Sequence, residues 1–307
     1  MIDSKDFSLH YYCVLNKKLY SNFIRKDMEN LKAILLKHNL TLKKAFGQNF
    51  LTDISLLDQI VEKAEVDEND VVLEIGCGAG ALTKALSKKA KKVVGYEIDT
   101  RLKPVLKDIL EDNKNVEIVF NDIMKVGVAD VEKKLGGEYV LVANLPYYIT
   151  TPIIMRFLEN AKNLKRMVIM VQEEVAYRLA SKESSSDYGA ITVGINLRGS
   201  AEVVLNVGRE KFTPPPNVDS AVVRIDIEKD KFSGVNFDNV RQVVKCAFSN
   251  RRKMLVNNLM NVYKYSRVDA EKVLTSANLP LTIRGENLTA TDYVKLTEII
   301  YKKDKNG

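Results

Sequence analysis

A short apolar run that ends in a glycine-rich turn constrains the fold of this 307-residue chain more than any other stretch. The run Val71–Ile75 is too short for a long helix, and it leads through Gly76, Gly78 and Gly80 into a segment of helical apolar spacing from Ala81. A parallel strand continues into its crossover helix in this way. Glycines let the backbone bend sharply and approach a ligand there, although they also suit a simple tight turn. Strand and helix patterns alternate beyond it, which predicts an α/β fold with a doubly wound, mostly parallel sheet.

The spacing of these glycines, together with nearby acids, indicates which ligand the turn suits. Dinucleotide-binding turns usually read G-x-G-x-x-G and hold a pyrophosphate at the helix N-terminus. Here the order is Gly76-x-Gly78-x-Gly80, and Glu74 stands just before it. This pattern resembles the first motif of methyltransferases that use S-adenosylmethionine (SAM), a cofactor without phosphate whose sulfonium and amino-acid end suit acids. Glu97 ends the next predicted strand, about twenty residues on, where a carboxylate can take two ribose hydroxyls.

The composition excludes several classes of function. The chain has three cysteines and two histidines, none at metal-ligand spacing or in a set for nucleophilic catalysis, so we predict no metal site. Cys77, inside the glycine turn, is interpreted as a small packing residue. No apolar run approaches the roughly 18 residues of a membrane span. The N-terminus carries Asp3 and Asp6 and does not resemble a secretory signal, so we expect a cytoplasmic protein.

A second informative stretch follows the predicted strand Tyr139–Ala143 and reads Asn144-Leu145-Pro146-Tyr147. Ligand crevices in such sheets lie beyond the carboxyl ends of the strands, so this loop is expected beside the glycine turn. An exocyclic purine amine is a weak nucleophile because its lone pair is delocalised into the ring. If the Asn144 amide oxygen and the carbonyl of Leu145 or Pro146 accept its hydrogens, the lone pair can point at a sulfonium methyl. Tyr147 can stack on a flipped base, although this sequence also suits an ordinary β-to-α turn.

Two other segments have residue types that suit cofactor or phosphate contacts. The loop before the first motif contains Lys43, Lys44 and Asn49, which can touch phosphate or can belong to a capped surface loop. Asp122 lies just past the predicted third strand, where it can accept a hydrogen bond from the cofactor adenine or cap a turn. The sequence leaves both pairs of alternatives open.

Phe212 precedes three consecutive prolines and the final predicted strand. The prolines favour an extended, rigid segment, which can hold Phe212 against the target base opposite Tyr147. The alternative is that Phe212 is simply a core residue.

Beyond residue 230 the pattern becomes helical. The run Val240–Leu259 has an inward apolar stripe, and its cations include Arg251, Arg252 and Lys253. Such a run is usually a solvated face, but beside a base-modifying crevice it can also contact phosphates. The net charge of +7 suits a polyanionic partner, although a surplus of this size is common.

From about residue 42 to the last helix, the motifs resemble in order those of the ribosomal RNA adenine N6,N6-dimethyltransferases, in the KsgA-like small-subunit branch. They read K-x-x-x-G-Q-N-F-L, E-x-G-x-G-x-G, N-L-P-Y and F-x-P-P-P-x-V-x-S. The resemblance implies a Rossmann-like SAM-dependent methyltransferase fold with a small C-terminal all-helical domain. It also implies a helix at Ala190–Leu197, where the Ile, Thr and Val content alone favours a strand. Departures from the usual residues occur at Phe46, Cys77 and Asn250, away from the proposed chemistry.

The implied reaction is dimethylation of two adjacent adenosines near the 3' end of 16S rRNA, in an assembling 30S particle. The SAM contacts implied by the resemblance are Asn49, Leu51, Gly76, Gly78, Glu97, Ile98, Asp122, Ile123 and Asn144. The residues assigned to catalysis are Asn144, Leu145, Pro146, Tyr147 and Phe212. The residues assigned to RNA are Lys43, Lys44, Arg251, Arg252 and Lys253.

We therefore predict a leader at 1–41 that is partly helical or loosely ordered, a methyltransferase domain at 42–230 and a helical RNA-binding domain at 231–307. Met28 is a hypothetical alternative start, and a monomer is expected. One alternative is the large-subunit branch linked to macrolide resistance, whose loop usually has isoleucine in place of Leu145 and lacks the triple proline. Another is a ribosome-assembly or transcription factor that has lost catalysis, against which the intact glycine turn and N-L-P-Y loop argue.

Overall fold

The computed structural model describes residues 37–38, 50–51, 53–213 and 215–303. The predictions made for Met28, Lys43, Lys44 and Asn49, and for nearly all of the leader, lie outside these residues. No helix in the described ranges is long and apolar enough to cross a membrane.

Strands and helices alternate up to residue 179; a second helix and three strands follow, and the part of the chain described beyond the last strand is helical. The first elements are β1 (Phe50–Leu51), α1 (Ile54–Lys63), β2 (Val71–Ile75), α2 (Ala81–Ser87), β3 (Lys92–Glu97), α3 (Lys103–Ile109), β4 (Val116–Phe120), α4 (Val128–Leu135) and β5 (Tyr139–Asn144). They are followed by α5 (Thr150–Asn160), β6 (Leu164–Gln172), α6 (Glu173–Leu179), α7 (Ala190–Asn196), β7 (Gly199–Val207), β8 (Phe212–Thr213) and β9 (Ser220–Ile227). The final helices are α8 (Phe237–Ala247), α9 (Leu255–Tyr263), α10 (Arg267–Ser276) and α11 (Ala290–Lys303).

The main sheet has seven strands in the order β4-β3-β2-β5-β6-β9-β7. Pairing is parallel from β4 through β6, and β9 pairs antiparallel with both β6 and β7. From β2 the chain proceeds outward to β3 and β4, whereas from β5 it proceeds to β6 on the other side. Such a switch point opens a crevice beyond the carboxyl ends of the strands. The predicted α/β class with a mostly parallel sheet is confirmed.

Helices cover both faces of this sheet, which explains why its strands read as continuous apolar runs. Leu73 packs in one layer with residues of α4 and α5, and Val72 packs in the other with residues of α1 and α2. Both side chains are fully buried. Because successive side chains of a strand point to opposite faces, a strand covered on both sides has no polar positions to alternate with apolar ones.

Helix α7 confirms the helix implied at Ala190–Leu197, but strand β7 was missed by the sequence analysis. This strand lies at the sheet edge, and its pairing with β9 shifts register between Val203 and Leu205. Most of its side chains are half-buried or exposed, without regular alternation. A period-two pattern therefore could not reveal it.

The run Val240–Leu259 was interpreted as a single inward stripe, and the structure corrects this to two helices. After α8 ends, the Asn258 side chain donates hydrogen bonds to the carbonyls of Ala247 and Asn250, at 2.8 and 3.2 Å. These bonds satisfy carbonyls left free at the end of a helix and stabilise the turn before α9.

The helical core extends across the predicted boundary after residue 230. Besides α8 to α11, it contains Tyr188, Val193 and Leu197, which precede β7. The segment 181–197 therefore connects the sheet to the helical part of the chain.

Candidate active site

The glycine turn adopts a backbone that few other residues tolerate. Gly76, Gly78 and Gly80 have φ values of 78°, 54° and 84°. A Cβ at Gly80 would also lie 2.9 Å from the Leu106 side chain, so a larger residue would be both strained and crowded. This turn leads directly into α2.

The turn lies beside the N-L-P-Y loop because β2 and β5 are neighbours in parallel register. Ile75 is paired with Ala143, so the next residues, Gly76 and Asn144, leave the sheet together. A Cβ at Gly76 would lie 3.6 Å from the Asn144 carbonyl oxygen. The two stretches singled out in the sequence line one crevice.

The Glu97 carboxylate is fixed at the end of β3 by two backbone donors. Its Oε2 accepts a hydrogen bond from Gly78 N and its Oε1 from Asp99 N, both at 2.8 Å. Burial raises the pKa of Glu97, and these two hydrogen bonds oppose the increase. The side chain lines the crevice and retains lone pairs that can accept ribose hydroxyls.

Glu74 is a more unusual residue than its place in the glycine motif suggests. Only 1% of it is exposed, and its Oε2 has no hydrogen-bond partner among the described residues. Burial raises the pKa of the Glu74 carboxyl to about 8, and the charge of Glu97 adds to the increase. A buried acid with one unpartnered oxygen at the crevice wall suits a cofactor with cationic groups, and thus fits SAM.

Three further implied cofactor contacts follow the ends of β3 and β4. Asp122 Oδ1 accepts a hydrogen bond from Met124 N at 2.9 Å, so this residue does cap a turn. It also lines the crevice with Ile98 and Ile123, which leaves the cofactor role open to it as well. Ile98 is 54% exposed, an unusual environment for an isoleucine, whereas Ile123 is buried.

The loop after β5 distinguishes the two carbonyls considered as acceptors. The Pro146 carbonyl already accepts hydrogen bonds from Ile149 N at 3.1 Å and from Thr150 Oγ1 at 3.3 Å. Leu145 is buried beneath the loop and lines the crevice. The Leu145 carbonyl is therefore the better candidate for a substrate amine.

Phe212 reaches the crevice through a strand pair that the sequence analysis did not detect. β1 and β8 pair antiparallel, with Leu51 opposite Phe212. Lys211 Nζ donates to Asp53 Oδ2 at 2.6 Å beside this pair. Phe212 is 4% exposed and packs in a core layer, yet it also lines the crevice, so its two interpretations are compatible.

Comparison with known proteins identifies the family of the chain. The sequence profile of the family described as ribosomal RNA adenine dimethylase matches residues 39–300. The chain belongs to this family. The ribosomal RNA small subunit methyltransferase A of Bacillus licheniformis is 43% identical over 274 residues, which cover 87% of this chain and 94% of that protein. The protein of the same description from Clostridioides difficile is 40% identical over 275 residues, covering 89% and 95%.

Two solved structures resemble this member of the dimethylase family over 82% of its length. A dimethyladenosine transferase from Plasmodium falciparum has a TM-score of 0.71 and 29% identity, with 97% of that chain covered. The 23S rRNA methyltransferase ErmE has a TM-score of 0.64 and 28% identity, with 100% covered. The Rossmann-like methyltransferase fold is therefore confirmed.

The basic residues expected to contact rRNA in this dimethylase-family chain have different environments. Arg251 Nε donates to Glu286 Oε2 at 2.8 Å, and a terminal nitrogen donates to the carbonyls of Ser186 and Tyr188. Its guanidinium therefore joins the segment before α7 to the helical part of the chain. Arg252 and Lys253 are, like Arg251, exposed in the turn between α8 and α9.

Proposed function

We propose that this chain transfers methyl groups from SAM to the N6 amines of two adjacent adenosines near the 3' end of small-subunit rRNA. The carrying observation is the contact between the glycine turn at Gly76 and the loop at Asn144, which brings a donor side and an acceptor side into one crevice. The small-subunit name of the curated relatives supports this substrate over the large subunit.

On the donor side, the crevice residues would hold the cofactor. SAM supplies a methyl group bonded to a positively charged sulfur. Glu97 accepts ribose hydroxyls, and Asp122 accepts from the adenine amine. The full set proposed to contact SAM is Asn49, Leu51, Gly76, Gly78, Glu97, Ile98, Asp122, Ile123 and Asn144.

On the acceptor side, two oxygens would orient the adenine amine. The Asn144 amide oxygen and the Leu145 carbonyl each accept one N–H, which favours a pyramidal nitrogen with its lone pair directed at the donor. Pro146 supports them because its ring fixes φ. Tyr147 stacks on the flipped base, and Phe212 contacts its other face. No strong base is needed, since methylation acidifies the nitrogen and the proton can leave afterwards.

The helical part, proposed as an RNA-binding domain at 231–307, would hold the rRNA backbone through Arg252 and Lys253. Lys43 and Lys44 are proposed to contact phosphates beside the crevice. Since ribosomal subunits assemble in the cytoplasm, we place the reaction there, on an assembling 30S particle, with the enzyme acting as a monomer.

The test is incubation with labelled SAM and undermethylated small subunits, with large subunits as the control. We expect label in small-subunit rRNA alone, recovered as N6,N6-dimethyladenosine. Label only in large subunits would favour the other branch, and label in neither would exclude the enzyme function.

Asn144→Ala tests the acceptor side. It should abolish transfer and leave the dissociation constant for SAM within about tenfold, since one lost hydrogen bond has a limited effect on binding. Asn160→Ala, an exposed amide at the end of α5, is the matched control. Near-normal turnover of Asn144→Ala would contradict the assignment.

A further inference from the structure

The two consecutive tyrosines after Pro146 have different environments. The Tyr147 ring is half-buried, and its hydroxyl lies 3.0 Å from Ser220 Oγ, a hydrogen bond in which either atom can donate. Tyr148 is 71% exposed. The residue assigned to the target base is therefore the one whose ring is anchored at its far end.

Ser220 is well suited to be a fixed anchor. It is 1% exposed and begins β9, where it is paired with Gln172 of β6 on one side and Val207 of β7 on the other. The residue before it, Asp219, is also held, since its carbonyl accepts from Glu173 N at 3.1 Å. The Ser220 backbone is thus held between two neighbouring strands, and its side chain is buried.

The near end of Tyr147 is fixed as well. The carbonyl of the preceding residue, Pro146, accepts hydrogen bonds from Ile149 N and Thr150 Oγ1, which hold the loop backbone at the start of α5. The freedom that remains is rotation of the Tyr147 side chain. A hydrogen bond at the phenol oxygen restricts this rotation and keeps the ring face in one orientation before the base arrives.

We propose that Ser220 is a positioning residue that holds the Tyr147 ring at the angle needed to receive the target adenine. Ser220 acts through Tyr147 and does not touch the base. The inference rests on the proposed function, because it requires that Tyr147 stack on a flipped purine.

The experiment compares Ser220→Ala, Tyr147→Phe and the double variant with the wild type. Each single change removes the same hydrogen bond, so each should lower kcat for methyl transfer roughly tenfold, and the double variant should lose no more than either. SAM affinity should be unchanged, Ser220→Thr should recover most of the activity, and Ser200→Ala, an exposed serine of β7, should behave as wild type.

RNA carrying 2-aminopurine at the target position gives a fluorescence signal that does not depend on the stability of the protein. Its fluorescence in the complex should differ between wild type and Ser220→Ala, at a temperature where both are folded and bind SAM equally. Additive losses in the double variant, or full activity of Tyr147→Phe beside an impaired Ser220→Ala, would overturn the proposal. The wild-type arm separately tests the proposed function, because transfer to no subunit would refute that function whatever the variants do.

Discussion

The sulfur of Cys77 occupies the space that a side chain at position 95 would need. A Cβ at Gly95 would lie 2.4 Å from the Cys77 Sγ and 2.8 Å from the Ile118 side chain. Gly95 is paired with Glu74 in the neighbouring strand, so this contact lies directly against the glycine motif. Cys77 is itself buried, and burial raises the pKa of its thiol well above the ordinary value. Cys77 is thus a packing residue, in agreement with its interpretation from the sequence.

Gly95→Ala is therefore expected to lower the free energy of unfolding by about 1–3 kcal/mol, because an added methyl overfills this space. Urea denaturation measures the change. Cys77→Ala in the same chain should recover part of the loss by removing the sulfur. Gly137→Ala, where a Cβ would meet nothing within 4 Å, is the control. Fully additive losses for the pair at 77 and 95 would contradict the contact.

The buried acid at position 74 makes the stability of the cofactor-free protein depend on pH. Burial raises the pKa of Glu74 from 4.5 to about 8. Between these values the folded chain keeps a proton that the unfolded chain has released. The stability that this proton provides is fully present below pH 4.5 and is lost as the pH rises toward 8. The free energy of unfolding then falls by at most about 1.4 kcal/mol per pH unit.

Glu74→Gln removes this titration. The free energy of unfolding of the variant, relative to that of the wild type, should therefore increase as the pH rises from 5 to 8. Urea unfolding at four pH values, without SAM, measures it. Glu68→Gln changes an exposed acid and should follow wild type throughout. Parallel curves for Glu74→Gln and wild type would show that Glu74 is already ionised when folded.

The parts of the structure that the sequence predicted are those with local signals. The buried parallel strands, the glycine turn and the N-L-P-Y loop each carry their pattern within about ten residues, and the topology rules bring their ends together. The contacts that were missed join distant positions. Leu51 meets Phe212 through strands of two residues, and Tyr147, after β5, meets Ser220 at the start of β9. Neither pair has a periodicity that a single sequence could reveal.

The ion pair of Arg251 is another contact between distant positions that the sequence alone does not reveal. The sequence identifies a cation in a basic turn, and only the fold shows that Glu286 and two carbonyls receive its guanidinium. A charge run predicts a solvated or phosphate-binding face and carries no information about a partner 35 residues away.

The Arg251 contact gives a test that separates a structural role from a phosphate contact. If Arg251 joins the two parts of the chain, Glu286→Gln should weaken small-subunit binding as Arg251→Ala does, and the double variant should lose little more. If Arg251 instead binds phosphate, Glu286→Gln would release it and leave binding unchanged or tighter. Filter binding at fixed salt distinguishes the outcomes. If Arg251 joins the two parts of the chain, the melting temperature should fall by about a few degrees in both single variants.

Arg252 and Lys253 should behave differently, because their exposed side chains are proposed to meet the rRNA backbone directly. Replacing either by alanine should weaken small-subunit binding and reduce the slope of log affinity against log salt by roughly one, since one fewer counterion is released. Thermal stability and SAM affinity should stay at wild-type values. Lys89→Ala is the matched control, as this exposed lysine lies between α2 and β3, before the amino end of β3 and therefore away from the crevice. An unchanged salt slope for both variants would place the phosphate contacts elsewhere on the chain.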